Sequence, residues 1–157
     1  MIHSDDPDLT QLQHFLTFRL ARVQARLNAQ AIRILKETSG IGLSQWRVLA
    51  MVGSHETGTA RAAEIKRVTG FDKGMFSRTV RSLIEAGLVA SDTVEEDHRR
   101  QTLRLTEAGR ALYERTLPVM RARQRSLREA LDEAELTALF SALRKLEAEV
   151  DRQEAGE

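Results

Sequence analysis

The chain contains no cysteine. Disulfides, thiolate metal sites and cysteine-based redox sensing are thereby excluded. It also lacks an uncharged apolar run of about 20 residues, the length that a membrane-spanning helix needs. Its first residues, Met1-Ile2-His3-Ser4-Asp5-Asp6, do not follow the basic-then-apolar pattern of a secretion signal. Both absences predict a cytoplasmic protein with no membrane partner. Histidine is sparse: His3, His14, His55 and His98 fall on different segments, with no i, i+4 pair through which one helix would hold a metal. No glycine-rich loop follows a strand as nucleotide cradles require, and Gly53, Gly58, Gly70 and Gly74 read as turn or cap residues. Every serine or carboxylate candidate for nucleophilic or acid–base work has a commoner role as a cap or a surface charge. No cofactor, no metal and no catalytic residue is expected, and the chain does not read as an enzyme.

What is present is an ordinary soluble composition. With 157 residues, 41% hydrophobic and 30% charged, the chain is one domain's worth and can bury a core. Its most informative stretch runs from Asp72 to Arg100. Asp72 suits a helix N-cap, because its carboxylate accepts first-turn N–H groups, so a helix is predicted to start at Lys73. Phe76, Val80, Leu83 and Ile84 recur at helical spacing on one face, and Lys73, Ser77, Arg78 and Arg81 fall on the other. Gly87 supplies a left-handed stop. Leu88-Val89-Ala90 resumes as a strand, and Gln101 to Thr106, alternating polar and apolar, pairs back across the tip Glu95-Glu96-Asp97-His98-Arg99-Arg100. Upstream, Ala60 to Val68 reads as a short helix with Ala63 and Ile65 packing inward. Thr69-Gly70-Phe71 then forms the tight turn of a helix-turn-helix.

The flanks are helical. Asp6-Pro7 starts a long helix, with Leu9, Leu12, Leu16, Leu20, Val23, Leu27, Ala31 and Ile34 on one face, ending near Ser39-Gly40. A second helix runs from a Ser44 cap to about Ser54. After Thr106 a third long helix carries Ala108, Ala111, Leu112, Val119 and Leu127, with Pro118 removing a hydrogen bond and kinking it. In the last helix Leu136, Leu139, Leu143, Leu146 and Val150 alternate at spacings of three and four, a coiled-coil-like seam with Phe140 beside it. These helices have more apolar face than a small winged helix covers, and a second copy of the same surface is the simplest partner.

The net charge of +1 conceals a segregation. Arg61 to Arg81 holds six bases against two acids, a local +4, whereas Glu129 to Glu157 holds nine acids against three bases, a local −6. A basic patch attracts phosphate over a Debye length whatever the far end carries.

In order and spacing, Gly42-Leu43-Ser44-Gln45-Trp46-Arg47-Val48-Leu49, Phe71-Asp72-Lys73-Gly74-Met75-Phe76-Ser77-Arg78, Gly87-Leu88-Val89, the pair Asp97 and Arg99, and Leu105-Thr106-Glu107-Ala108-Gly109 resemble the MarR family of bacterial winged-helix regulators. The resemblance covers roughly residues 10 to 150. It implies a mainly α fold with a small β-hairpin (α+β). It also implies that the whole of 1–157 is a single domain, a winged helix-turn-helix at about 41–106 between dimerisation helices at about 8–39 and 107–152. It implies a homodimer that sets two reading helices about one turn apart on near-palindromic double-stranded DNA. Lys73, Met75, Ser77, Arg78 and Arg81 would touch DNA from the helix, and Asp97, Arg99 and Arg100 from the wing. A small aromatic or lipophilic effector would bind between the reading domain and the dimer helices, near Phe15, Phe18, Arg19, Arg22 and Trp46, with an arginine to pair a carboxylate. Trp46 has packing against the core as its competing role. Two positions depart from the family pattern: Lys66 replaces a small residue, and Ser91 stands where an arginine is frequent, which throws weight onto Arg99 and Arg100. The expected function is a ligand-responsive transcriptional regulator, a repressor; the rival is a winged-helix module that binds protein and never DNA.

Overall fold

The computed structural model describes residues 11–92 and 101–156. The helix start expected at Asp6-Pro7 and the hairpin tip with Asp97, Arg99 and Arg100 lie outside the described residues.

The first long helix is shorter than its apolar spacing suggests. Among the described residues a 3-10 turn, Leu12–His14, precedes the α-helix proper, α1, which spans Leu16–Thr38. Between them Phe15 is extended (φ −63, ψ 129), and its N–H is taken by the Leu12 carbonyl at 3.1 Å. Leu12 therefore belongs to the turn and not to the helix face, a break that residue spacing cannot reveal. Helix α2 covers Leu43–Ser54, capped at Gly42 and not at Ser44. The Gly42 N–H donates to Gln45 Oε1 at 2.8 Å, which leaves Ser44 inside the first turn.

The segment read as one helix from Ala60 divides. Thr59–Arg61 is a strand, β1, and α3 follows over Ala62–Thr69. Ala62, three residues before the buried Ile65, shares its face and is buried, whereas Ala63, two residues before it, is turned outward. Gly70 adopts φ 68, the left-handed turn that brings the chain to α4, Lys73–Glu85. The Asp72 cap forms as read: Met75 N–H donates to Oδ1 at 2.8 Å. Phe76, Val80 and Leu83 are buried, but Ile84 is exposed and Thr79 takes its place in the packed face. Gly87, at φ 68, closes the helix, with the Leu88 N–H bonded to the Leu83 carbonyl at 3.0 Å.

Strands β2 (Val89–Asp92) and β3 (Thr102–Leu105) pair antiparallel, Val89 opposite Leu105. β1 adds to the other edge of β3, Ala60 opposite Leu103, giving the order β1-β3-β2. Thr106 then does three jobs at the sheet's end. Its N–H donates to the Leu88 carbonyl at 3.1 Å, its hydroxyl donates to the Gly87 carbonyl at 2.6 Å, and the same oxygen accepts the Gly109 N–H at 3.0 Å, capping helix α5, Glu107–Glu129. Gly109 sits so close to the preceding turn that a Cβ there would overlap the Leu88 carbonyl. Pro118 lies inside α5 without ending it. Helix α6, Glu133–Glu154, begins with a reciprocal cap: Glu135 N–H to Asp132 Oδ1 at 2.8 Å and Asp132 N–H to Glu135 Oε2 at 2.9 Å.

Contacts divide the chain into two compact units, one ending at Thr116 and one beginning at Leu117. The core of the first gathers Leu35, Val48, Leu49, Val52, Ile65, Leu83, Val89 and Leu103, each removed from water and contributing ~2 kcal/mol by burial. The buried Thr116 hydroxyl is satisfied by the Leu112 carbonyl at 2.7 Å. In the second unit, none of the described residues of α6 is buried. Leu139 is 43% exposed, Phe140 47% and Val150 53%, and Leu136, Leu143 and Leu146 are half-buried. Near the end of α6, hydrogen bonds from Arg152 and then Gln153 hold the Glu149 carboxyl below its ordinary range.

Candidate nucleic-acid interface

Helix α4 has one face in the core and one in solvent. With Phe76, Thr79, Val80 and Leu83 anchored inward, Lys73, Met75, Ser77, Arg78 and Arg81 are all exposed. The cap at Asp72 leaves the positive end of the helix dipole beside Lys73. On the preceding helix Arg67 is exposed and Lys66 half-exposed, so the basic run predicted from sequence is a solvent-facing surface on both helices of the turn. Met75, 40% exposed, is an apolar side chain in this otherwise polar face.

A shallow groove of about 350 Å³ runs between the start of α2 and α4, lined by Ser44, Gln45, Met75, Arg78, Thr79 and Ser82. Gln45 crosses it: its Nε2 donates to Ser82 Oγ at 2.6 Å while its Oε1 caps Gly42. Sequence reading placed Gln45 in a motif without a role. The signal was there, a glutamine three residues after a capping glycine, but its reach to Ser82 spans 37 residues and has no sequence signature. α2 is tied on its other side too, by Arg47 Nη2 to Asn28 Oδ1 of α1 at 3.2 Å.

The base of the hairpin is braced. Gln101 Nε2 donates to Ser91 Oγ at 2.8 Å, and Arg104 Nε lies 3.4 Å from Asp92 Oδ2. Ser91, the position that departs from the family pattern, is thus engaged within the sheet.

The five effector candidates separate into two settings. Trp46 is 6% exposed, and its ring stacks on Tyr113 with centroids 6.0 Å apart and planes 22° from parallel. A Cβ on Gly53 would come within 2.8 Å of that Tyr113 ring, so Gly53 leaves the room that the ring fills, and Trp46 is packed in the core. Phe15 is half-buried, and Phe18, Arg19 and Arg22 are exposed in the first turns of α1. Among the described residues no cluster of histidine, aspartate or glutamate could hold a metal ion, and no helix is long and apolar enough to cross a membrane.

Residues 39–100, the turn from α1 through both helices and into the hairpin, match a sequence model of the MarR family. The structure superposes on a MarR/EmrR family transcriptional regulator from Acinetobacter sp. ADP1 with a TM-score of 0.80 and 29% identity, covering 90% of this chain and 99% of that one. Over residues 39–100, and in its fold, the chain is similar to the MarR family. Similar to it are a probable transcriptional regulator from Pseudomonas aeruginosa (26% identity, TM-score 0.67, 87% of this chain and 99% of that one) and a mutant MarR from E. coli complexed with operator DNA (25%, 0.63, 82% and 93%). A comparison with curated proteins finds no match. In this fold α4 is the second helix of the helix-turn-helix, and β2 and β3 are the strands that follow it. The family consists of transcriptional regulators and not of enzymes.

Proposed function

We propose that this chain is a DNA-binding repressor of the cytoplasm, acting as a homodimer on a near-palindromic site and released by a small aromatic or lipophilic ligand. The observation that carries the DNA reading is the exposed face of α4, with Lys73, Ser77, Arg78 and Arg81 projecting from a helix whose opposite face is locked in the core. The E. coli relative solved with operator DNA has the same fold. In this reading the two recognition helices enter successive major grooves. Arg78 reads a guanine edge, and Met75 lies against a thymine methyl. Arg99, with Asp97 two residues before it to orient the guanidinium, enters the flanking minor groove with Arg100 beside it. The apolar seam of α6 and the exposed Leu16, Leu20 and Val23 of α1 are covered by the second copy. Phe15 and Phe18, with Arg19 or Arg22 for a carboxylate, supply the effector contacts at the start of α1. A ligand shifts the dimer from its DNA-competent spacing by no more than its differential affinity for the two states.

The experiment is a titration of wild type, Arg78→Ala and Arg99→Ala against matched and scrambled duplexes at several salt concentrations. Arg78→Ala is expected to cost about 1–3 kcal/mol on the matched duplex and to relax preference at one position of each half-site. Arg99→Ala is expected to weaken matched and scrambled duplexes alike and to flatten the salt slope by roughly one unit per lost contact. A wild type whose retention on duplex DNA shows no steep salt dependence would instead identify a protein-binding winged helix.

Because the chain has no cysteine, peroxide at thiol-oxidising levels is expected to leave DNA release unchanged over minutes, with methionines such as Met75 oxidising more slowly. Release that dithiothreitol reverses would contradict this, and gel-shift assays with and without peroxide make the comparison.

A further inference from the structure

We infer that Gln45 is a positioning residue for base reading: its side-chain amide sets the rotation of α4 about its own axis, and so fixes where Arg78 points. The inference rests on the DNA-reading role proposed for α4. Phe76, Val80 and Leu83 hold that helix against the core by contacts that are non-directional, which resist separation better than they resist a small roll. The Gln45–Ser82 bond is of a different kind. At 2.6 Å it is short and directional, and Ser82 stands one helical turn from Arg78 on the flank that lines the same groove. A roll of ~10° moves a group ~6 Å from a helix axis by ~1 Å, which exceeds the ~0.5 Å tolerance of a geometric site.

The amide is polarised by its surroundings. Gly42 presents a backbone N–H to one end, which only the carbonyl oxygen can accept, so the NH2 group is forced toward Ser82. A flipped amide would face donor to donor at Gly42. The anchor itself is stiff, because Val48, Leu49 and Val52 of the same helix are fully buried and Arg47 ties it to Asn28. Gln45 thus joins a fixed helix to the reading helix, with no freedom in the sense of the bond.

The test uses the full chain and a duplex selected by the wild type from a random pool, beside a scrambled duplex. Ser82→Ala removes only the α4 end of the link and leaves the Gly42 cap; Gln45→Met removes both; Ser82→Thr keeps the hydroxyl. Ser82→Ala and Gln45→Met are each expected to lower the selected-to-scrambled affinity ratio about tenfold, affecting mainly the selected duplex. Ser82→Thr is expected to retain the wild-type ratio. The double variant Gln45→Met with Ser82→Ala should show a ratio no lower than Gln45→Met alone, because one link is being removed. A wild-type ratio in Ser82→Ala overturns the inference, and so does equal weakening on both duplexes in step with a fall in melting temperature, which marks general destabilisation. A wild type with no duplex preference at all overturns the DNA-reading proposal and this inference with it, whereas a preference that survives Ser82→Ala overturns this inference alone.

Discussion

Replacing Leu139 and Leu143 by aspartate is expected to leave the chain monomeric at micromolar concentration and unable to hold its DNA. Both residues lie in the α6 seam, in a helix none of whose described residues is buried, although Leu136, Leu139, Leu143, Leu146 and Val150 recur at heptad spacing. A seam of that kind becomes dry only when a second helix covers it. In the proposed dimer each aspartate would bring an unpaired carboxylate into that covered surface, at several kcal/mol per charge, and there would be two such charges from each chain. In the single chain Leu139 is exposed and Leu143 only half-buried, so the substitution should not unfold it. Loss of the dimer removes the gain from binding two half-sites at once, a factor of ~10²–10⁴ in affinity. Sedimentation velocity together with DNA titration gives the answer. A doubly substituted chain that stays dimeric places the interface elsewhere, and a monomeric wild type that binds DNA tightly removes the need for one.

Gly109→Ala is expected to destabilise the winged-helix unit by about 2–3 kcal/mol, seen as a fall of ~4–12 °C in melting temperature. The backbone conformation of Gly109 is not the reason, since its φ is not positive. The reason is proximity: the added Cβ would overlap the Leu88 carbonyl, a backbone atom in a turn that Gly87 and Thr106 already fix from both sides. A flexible side chain would move aside at little cost, whereas this turn moves only by breaking the Thr106 bonds that join α5 to the sheet. Gly53→Ala, whose Cβ meets the Tyr113 ring, should also destabilise, and through the Trp46–Tyr113 stack. An alanine at 109 with an unchanged melting curve would mean that the α5 junction is looser than its hydrogen bonds imply.

The parts of this fold that were legible in the sequence are those whose cause is local. The Asp72 cap, the Gly70 and Gly87 turns, the buried trio Phe76, Val80 and Leu83, and the β2–β3 pairing each follow from residues a few positions apart. What escaped has a distant or sub-residue cause. β1 is three residues long, too short for alternation to show, and it is a strand only because β3 offers it an edge. Ala62 is buried in place of Ala63 because it lies three residues before Ile65, on the face that packs inward. Ile84 and Thr79 exchanged places because hydrophobicity favours isoleucine inside, while the geometry of α4 against α2 turns position 79 inward. At the interface, residue type and helical phase were enough to find Lys73, Met75, Ser77, Arg78 and Arg81 as one exposed set. Gln45 was not found, since its partner is on another element. The sequence offers Trp46 both a pocket and a core role, and the Tyr113 ring on which it stacks lies far along the chain.

The short ladder between β1 and β3 also bears on how α4 comes and goes. Pairing Arg61 with Thr102 closes a hydrogen-bonded loop of chain that contains α3 and α4, so both helices lie between ends that the ladder holds together. Closing such a loop is the entropically slow part of folding, which places completion of the sheet late, after the local turns and caps have formed. The reverse also holds. α4 has no free end from which to fray, and it can leave the core only when the stitch opens. Backbone amides of β1, β3 and α4 should therefore exchange with solvent in one shared opening, so that the exposed face of α4 persists or is lost as a whole.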